Sequence, residues 1–232
     1  MHTEQYSLPV HAILFDLDNT LFDFVAAKLA ACDAVNAYLG VGNREELITF
    51  FLRDIWHLED PAIIREYMNY YGFFSDEQYH TCVHIYETIK KTHTYPYPGV
   101  YKTLSLLHKK EIILGVVTDS LTTIAKKKLD ILNLCPFITT LVTGEMTGTL
   151  KPKSDVFLLA LMRLSLLPNE VLFVGDSLYR DISPSSLLGM QTAYAAYGDR
   201  NTLDEYCDCL PDFTLFEITD LIDIVFSSER VT

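Results

Sequence analysis

The sequence predicts an α/β fold, a parallel sheet with helices on both faces, interrupted by an all-helical insertion. Three observations carry that expectation. Ala12-Ile13-Leu14-Phe15 is an apolar run of strand length that ends abruptly in two carboxylates, Asp16 and Asp18. Such a run reads as a buried central strand. From residue 99 onward, strand-like and helix-like segments alternate, the signature of βαβ units. Between residues 24 and 92 the pattern is helical throughout, with no convincing strand.

The first strand gives way to helix after Thr20. Val25, Leu29, Cys32, Val35 and Leu39 share one helical face over 24–39, and Gly40-Val41-Gly42 stops it. A second helix is expected from Glu45 to about Leu58, including the only tryptophan, Trp56. Asp60-Pro61 resembles a helix start with proline in the first turn, opening a third helix to about Tyr71. Ser75-Asp76-Glu77-Gln78 fits a capping box, opening a fourth to about Lys91. Two prolines and a glycine at 96–99 then break the helical run.

Beyond that break the pattern predicts strands at 112–118, 138–142, 171–174 and 192–195. Helices are expected at 99–109, 121–132, 154–166, 181–189 and 217–227. The economical division is a core of residues 1–22 and 96–232 with a helical insertion at 23–95.

Composition narrows the function. A formal charge of −13 disfavours nucleic acid and anionic membranes as partners, since both are bound through Lys and Arg. No apolar run approaches the ~20 residues needed to span a bilayer, and the first residues lack the pattern of a signal peptide. Five cysteines, with only Cys207 and Cys209 closely spaced, suit reduced thiols and a cytoplasmic protein better than a disulfide framework. His80 and His84 stand four apart on an expected helix, but Thr81 occupies the place where a metalloprotease needs Glu. A solvated helix face accounts for them.

In open parallel sheets, ligands bind beyond the carboxyl ends of the strands. Those ends carry Asp16 and Asp18, then Thr118-Asp119-Ser120, then Gly175-Asp176-Ser177 with Asp181; Lys151 lies in a loop before a helix. Two acids on one strand end would repel unless a cation lay near. Carboxylates from separate strands suit a hard cation such as Mg²⁺. The Thr118 hydroxyl and the Lys151 ammonium suit phosphate oxygens. There is no Gly-rich loop ending in Lys-Ser/Thr, which excludes a P-loop nucleotide site.

Phe15-Asp16-Leu17-Asp18-Asn19-Thr20-Leu21, Thr118, Lys151-Pro152 and Val174-Gly175-Asp176-Ser177 through Asp181 together resemble the four ordered motifs of the haloacid dehalogenase superfamily. The resemblance implies a Rossmann-like core, with 23–95 as a helical cap. It also implies a phosphatase acting on a small phosphorylated metabolite, as a monomer or homodimer. By the same resemblance Asp16 is the nucleophile and Asp18 the general acid and base. Thr118, Asp119 and Lys151 bind phosphate. Asp16, Asp176 and the backbone carbonyl of Asp18 hold Mg²⁺, with Thr20 and Asp181 supporting them from behind. Asp119 stands where many relatives have Asn, and Lys153 follows closely enough to compete with Lys151 for phosphate. The spacing to Phe157 favours Lys151. Rival readings are a dehalogenase or a phosphomutase of the same fold, or an idle binding or regulatory module. The second acid, Asp18, argues against the dehalogenase.

Overall fold

The computed structural model describes residues 10–52, 59–200 and 209–227. The chain divides into two compact units, Met1–Asp23 with Pro96–Thr232, and Phe24–Tyr95. In the first, six strands among the described residues form one parallel sheet: β1 (Ala12–Phe15), β2 (Ile113–Thr118), β3 (Thr140–Thr143), β4 (Val171–Gly175), β5 (Gln191–Ala195) and β6 (Phe213–Leu215).

Their order is β3-β2-β1-β4-β5-β6. β1 is buried along its whole length and pairs with β2 on one edge and β4 on the other, as its unbroken apolar run requires. From β1 the chain builds outward to β2 and β3, returns beside β1 as β4, and then builds the opposite way. The loops leaving β1 and β4 therefore diverge at the reversal, which opens a crevice at their carboxyl ends.

Among its described residues the second unit holds four helices: α1 (Phe24–Leu39), α2 (Arg44–Phe51), α3 (Ala62–Tyr70) and α4 (Asp76–Thr92). Ser75 caps α4, its side chain accepting from the Gln78 amide at 3.4 Å, and Asp60 accepts from the Ala62 amide at 2.8 Å. The start of α2 is set by Asn43, which accepts from the Glu46 amide. Expectation carried α2 on to Leu58; the helix ends at Phe51, and Trp56 lies outside the described residues. The unit has its own core, in which Val35, Leu47, Phe51, Ile64, Tyr67 and Tyr86 are fully buried. The aromatic residues expected there are mostly packing: Phe51 stacks on Tyr86 and Phe50 meets Tyr67 edge-on.

The remaining helices belong to the sheet unit: α5 (Val100–Lys109), α6 (Thr122–Ile131), α7 (Gly144–Thr147), α8 (Asp155–Leu164), α9 (Ser183–Leu187) and α10 (Asp220–Ser227). α8 packs Val156, Phe157, Ala160 and Leu161 against Leu14, Val117 and Phe173, with Phe157 and Phe173 edge-to-face at 5.0 Å. Two elements differ from expectation. The helix expected at 181–189 is a π-helical turn over Leu178–Ile182 that runs into α9. The strand expected at 138–142 begins later, because Cys135–Phe137 winds into a 3₁₀ turn around Pro136. Strand β6 and the short α7 were not legible in the pattern.

Candidate active site

The carboxyl ends of β1, β2 and β4 bring the expected residues together. Asp16 follows β1 directly, and its amide donates to the Val174 carbonyl of β4 at 2.8 Å. Carboxylate oxygens of Asp16, Asp176 and Asp181 lie within 4.8 Å of one another, and all three residues are buried. Lys151 reaches into this cluster. Its Nζ donates to Asp16 Oδ1 at 2.5 Å and Asp181 Oδ1 at 2.6 Å, and its side chain is 1% exposed. Lys153 is exposed, so the lysine at the carboxylates is Lys151. Thr20 donates weakly to Asp16 Oδ2 and Asp176 Oδ1, at 3.3 and 3.4 Å.

Asp181 owes its position to the π-helical turn, where its Oδ2 accepts from the Ser177 amide. A Cβ on Gly175 would stand 2.5 Å from Asp181 atoms, so only glycine lets that carboxylate pack onto the end of β4.

Asp18 is held apart from this cluster. Both of its oxygens accept from Lys128 Nζ at 2.7 Å, and Oδ2 also accepts from Ser120 Oγ at 3.1 Å. Thr118 is buried at the end of β2, its hydroxyl accepting from the Ser120 amide. Asp119 turns one oxygen onto the Lys151 amide, at 2.9 Å, and the other toward Arg180, at 3.6 Å. Its carboxylate thus anchors two basic residues.

Lys128 and Arg180 were missed in the sequence. For Lys128 a signal existed: Ala125, Lys128, Leu129 and Leu132 recur at helical spacing, which puts a lysine on the apolar face of α6. Arg180 carried no such signal, because the π-helical turn resets the side-chain directions around it.

Electrostatics follow from the crowding. Burial, only partly offset by Lys151, raises the Asp16 carboxyl above its ordinary value. Burial also pushes Asp176 well above its own, and the charges of Asp16 and Asp181 add to the effect. Burial pulls the Lys151 ammonium down, but Asp16, Asp181 and Asp119 outweigh it and hold the group charged. Three buried carboxylates around one buried ammonium leave excess negative charge on hard oxygen donors, which fits a divalent cation such as Mg²⁺.

A testable consequence concerns Asp176. A carboxyl whose folded pKa is raised stabilises the fold below its ordinary range and loses that contribution as pH rises through the folded value. Without divalent metal, the repulsion around Asp176 therefore grows as pH rises through that value. Asp176→Asn is expected to raise the Tm of the metal-free protein by about 2–4 °C for each kcal/mol relieved, and to shrink the rise that Mg²⁺ gives the wild type. Thermal melts in EDTA and in Mg²⁺ check both. A lower Tm for the variant in EDTA would show the charge to be stabilising.

The loop after β5 braces the Asp16–Leu21 turn from outside. Tyr197 donates its hydroxyl to the Thr20 carbonyl at 2.8 Å, and Asn19 sits at φ 62°. Gly198 backs directly onto that turn: a Cβ there would lie 1.7 Å from the Asn19 carbonyl oxygen. Gly198→Ala must displace one loop or the other, at a cost of about 1–3 kcal/mol. A lower melting temperature and a fall in kcat larger than any change in KM are expected. A variant identical to wild type in both would show that the brace is slack.

Among the described residues, no metal-capable group forms around His80 and His84, which are both exposed. Cys209 is a free thiol; its expected neighbour Cys207 lies outside the described residues. No single described helix is long and apolar enough to cross a membrane.

Comparison with known proteins gives the family and the fold. A family model described as haloacid dehalogenase-like hydrolase matches residues 13–195. Glyceraldehyde 3-phosphate phosphatase of Methanocaldococcus jannaschii is 30% identical over 230 residues, 93% of this chain and 97% of that protein. Pyrophosphatase PpaX of Bacillus pumilus is 30% identical over 221 residues, 93% of this chain and 96% of that one. Among solved structures, the HAD-hydrolase YfnB from Bacillus subtilis bound to magnesium shares the fold, with a TM-score of 0.72 at 20% identity over 94% of this chain and 99% of that one. The matched segment holds every candidate residue from Asp16 to Asp181, and the chain belongs to the haloacid dehalogenase-like hydrolase family.

Proposed function

We propose that this protein is a Mg²⁺-dependent phosphoric monoester hydrolase that acts on a small phosphorylated metabolite through a phosphoenzyme on Asp16. One observation supports it above the others. Two carboxylates two residues apart are wired separately, Asp16 to Lys151 inside a buried acidic cluster and Asp18 to Lys128 and Ser120 outside it. Separate environments let neighbouring acids take different roles.

In this reading an Asp16 oxygen attacks phosphorus, and the bond from phosphorus to the ester oxygen breaks as the new bond forms. Asp18 gives a proton to the departing alkoxide, then takes one from the water that attacks the phosphoenzyme, releasing phosphate and restoring Asp16. Lys151 and the Thr118 hydroxyl offset charge on the transferring phosphoryl oxygens. Asp16, Asp176 and the Asp18 carbonyl would hold Mg²⁺, and a bound Mg²⁺ would screen the repulsion between the Asp16 carboxylate and a phosphate dianion. Discrimination among esters is assigned to the helical unit, since every candidate catalytic residue lies outside it. A cytoplasmic setting suits the thiols of Cys32, Cys82, Cys135 and Cys209, none of which is in a disulfide.

The test is phosphate release across a panel of sugar, glycolate, glyceraldehyde and nucleotide phosphates, in Mg²⁺ and in EDTA. One or more small esters should turn over in Mg²⁺, with loss of activity in EDTA and inhibition by Ca²⁺, which favours more ligands and looser geometry. Equal rates in EDTA and Mg²⁺ would contradict the metal role. The same panel run on a chain with 23–95 replaced by a short linker tests the helical unit. There kcat/KM for the best metabolite should fall much further than for an activated aryl phosphate; equal losses would place chemistry inside the insertion.

A further inference from the structure

Lys128 is a buried cation that the chemistry above does not use. It sits on the second turn of α6, 6% exposed, among Ala125, Leu129 and Leu132 on the helix's apolar face. A lysine in such a place pays a desolvation cost unless it is paired and hydrogen-bonded. The pairing here is complete. Nζ donates to both oxygens of Asp18 at 2.7 Å and to Ser120 Oγ at 2.9 Å, and it lies 5.9 Å from the centre of the Phe22 ring. Ser120 closes the triangle by donating to Asp18 Oδ2, while its own amide is tied to the Thr118 hydroxyl.

We propose that Lys128, with Ser120, is the positioning residue for Asp18: it fixes the carboxylate in one orientation, away from the Asp16 cluster, so that Asp18 meets the leaving oxygen of the ester. This deepens the phosphatase reading and rests on it. Asp18 follows the strand rather than lying in it, and its side chain is 24% exposed, so the backbone alone leaves its rotamer open. Two contacts from a buried ammonium remove that freedom. The geometry also ties three elements into one unit, the β1 loop through Asp18, the β2 loop through Ser120 and α6 through Lys128.

The step concerned is the first. Asp18, whose two oxygens both accept from Lys128 in the free protein, takes up a proton from solvent on one oxygen before the step. As the phosphorus–oxygen bond of the ester breaks, its electron pair passes to the leaving oxygen and that proton goes to it, leaving Asp18 as the carboxylate again. The demand for a well-aimed proton donor is large when the leaving group is an alkoxide and small when it is a nitrophenolate. kcat/KM reports the steps through that bond cleavage, whereas hydrolysis of the phosphoenzyme is common to all esters. A role in positioning Asp18 therefore appears as a leaving-group effect on kcat/KM, which a merely structural role does not produce.

The experiment compares wild type, Lys128→Met, Lys128→Arg and Ser120→Ala on p-nitrophenyl phosphate and on the best alkyl phosphate of the panel, with thermal melts alongside. Lys128→Met should lower kcat/KM on the alkyl ester by a factor at least about ten times larger than on the aryl ester. Lys128→Arg, which keeps a cation, should recover part of that loss, and Ser120→Ala should show a weaker effect of the same kind. If Lys128→Met does not fold, the ratios for Lys128→Arg and Ser120→Ala decide. Equal falls on both esters, or a gain on the alkyl ester, overturn this inference alone. A wild-type chain inactive on both esters overturns it together with the phosphatase reading.

Discussion

Asp16→Asn is expected to lower turnover by at least about three orders of magnitude while leaving the sheet intact. The residue stands directly beyond β1, the central strand, whose pairing with β2 and β4 does not use its side chain. An amide in its place keeps an oxygen to accept from Lys151, so the fold loses little. What disappears is the anionic oxygen proposed to attack phosphorus, and an amide is far too weak a nucleophile to replace it. Initial rates of phosphate release beside a circular dichroism melt check both halves. A folded variant with substantial activity would end the assignment of Asp16.

Lys151→Met is expected to damage stability as well as rate. Lys151 Nζ lies between the carboxylates of Asp16 and Asp181. Removing it leaves both buried without that ammonium, a change that costs about 3–5 kcal/mol when one partner of a buried pair is lost. In the proposed mechanism the transferring phosphoryl group also loses the cation assigned to it, an effect expected to be roughly a hundred- to thousandfold in kcat. The pH dependence has a definite sign. The folded pKa of Lys151 stands above its ordinary value, so its contribution is complete at neutral pH and would fade only as pH rose through that value. Acidification protonates Asp16 in the variant and relieves the repulsion, so the stability gap from wild type should narrow as pH falls through the raised value of that carboxyl. Urea unfolding at several pH values measures it. A variant as stable as wild type at pH 7 would show that the carboxylates need no internal counter-charge.

Much of this arrangement was legible in the sequence because it follows from local pattern. The apolar run ending at Phe15 could only be a central strand, and acids at the ends of three predicted strands had to converge once the sheet was parallel. Thr118, Lys151, Asp176 and Asp181 were found by that rule and by family resemblance together. What escaped depended on packing between distant segments. Lys128 looked like one of three solvated lysines in a row, and only the helical phase separates it from Lys126 and Lys127. Arg180 was hidden by the π-helical turn. Gly198 gave no sign, because its need for a bare α-carbon comes from the Asn19 carbonyl, 179 positions earlier in the chain. Strand β6 is only three residues long, too short for alternation to register.

The central claim is a covalent phosphoenzyme on Asp16, and trapping it is the most direct test. The Asp18→Asn variant, mixed with p-nitrophenyl phosphate carrying a radiolabelled phosphoryl group, can still lose its activated leaving group but lacks the base for hydrolysing the phosphoenzyme. Acid quenching on the millisecond scale should capture label on the protein. Borohydride reduction and peptide mapping should then place a homoserine at position 16. Label at any other residue, or nitrophenol released over the first turnover with no label on the protein, would contradict the account.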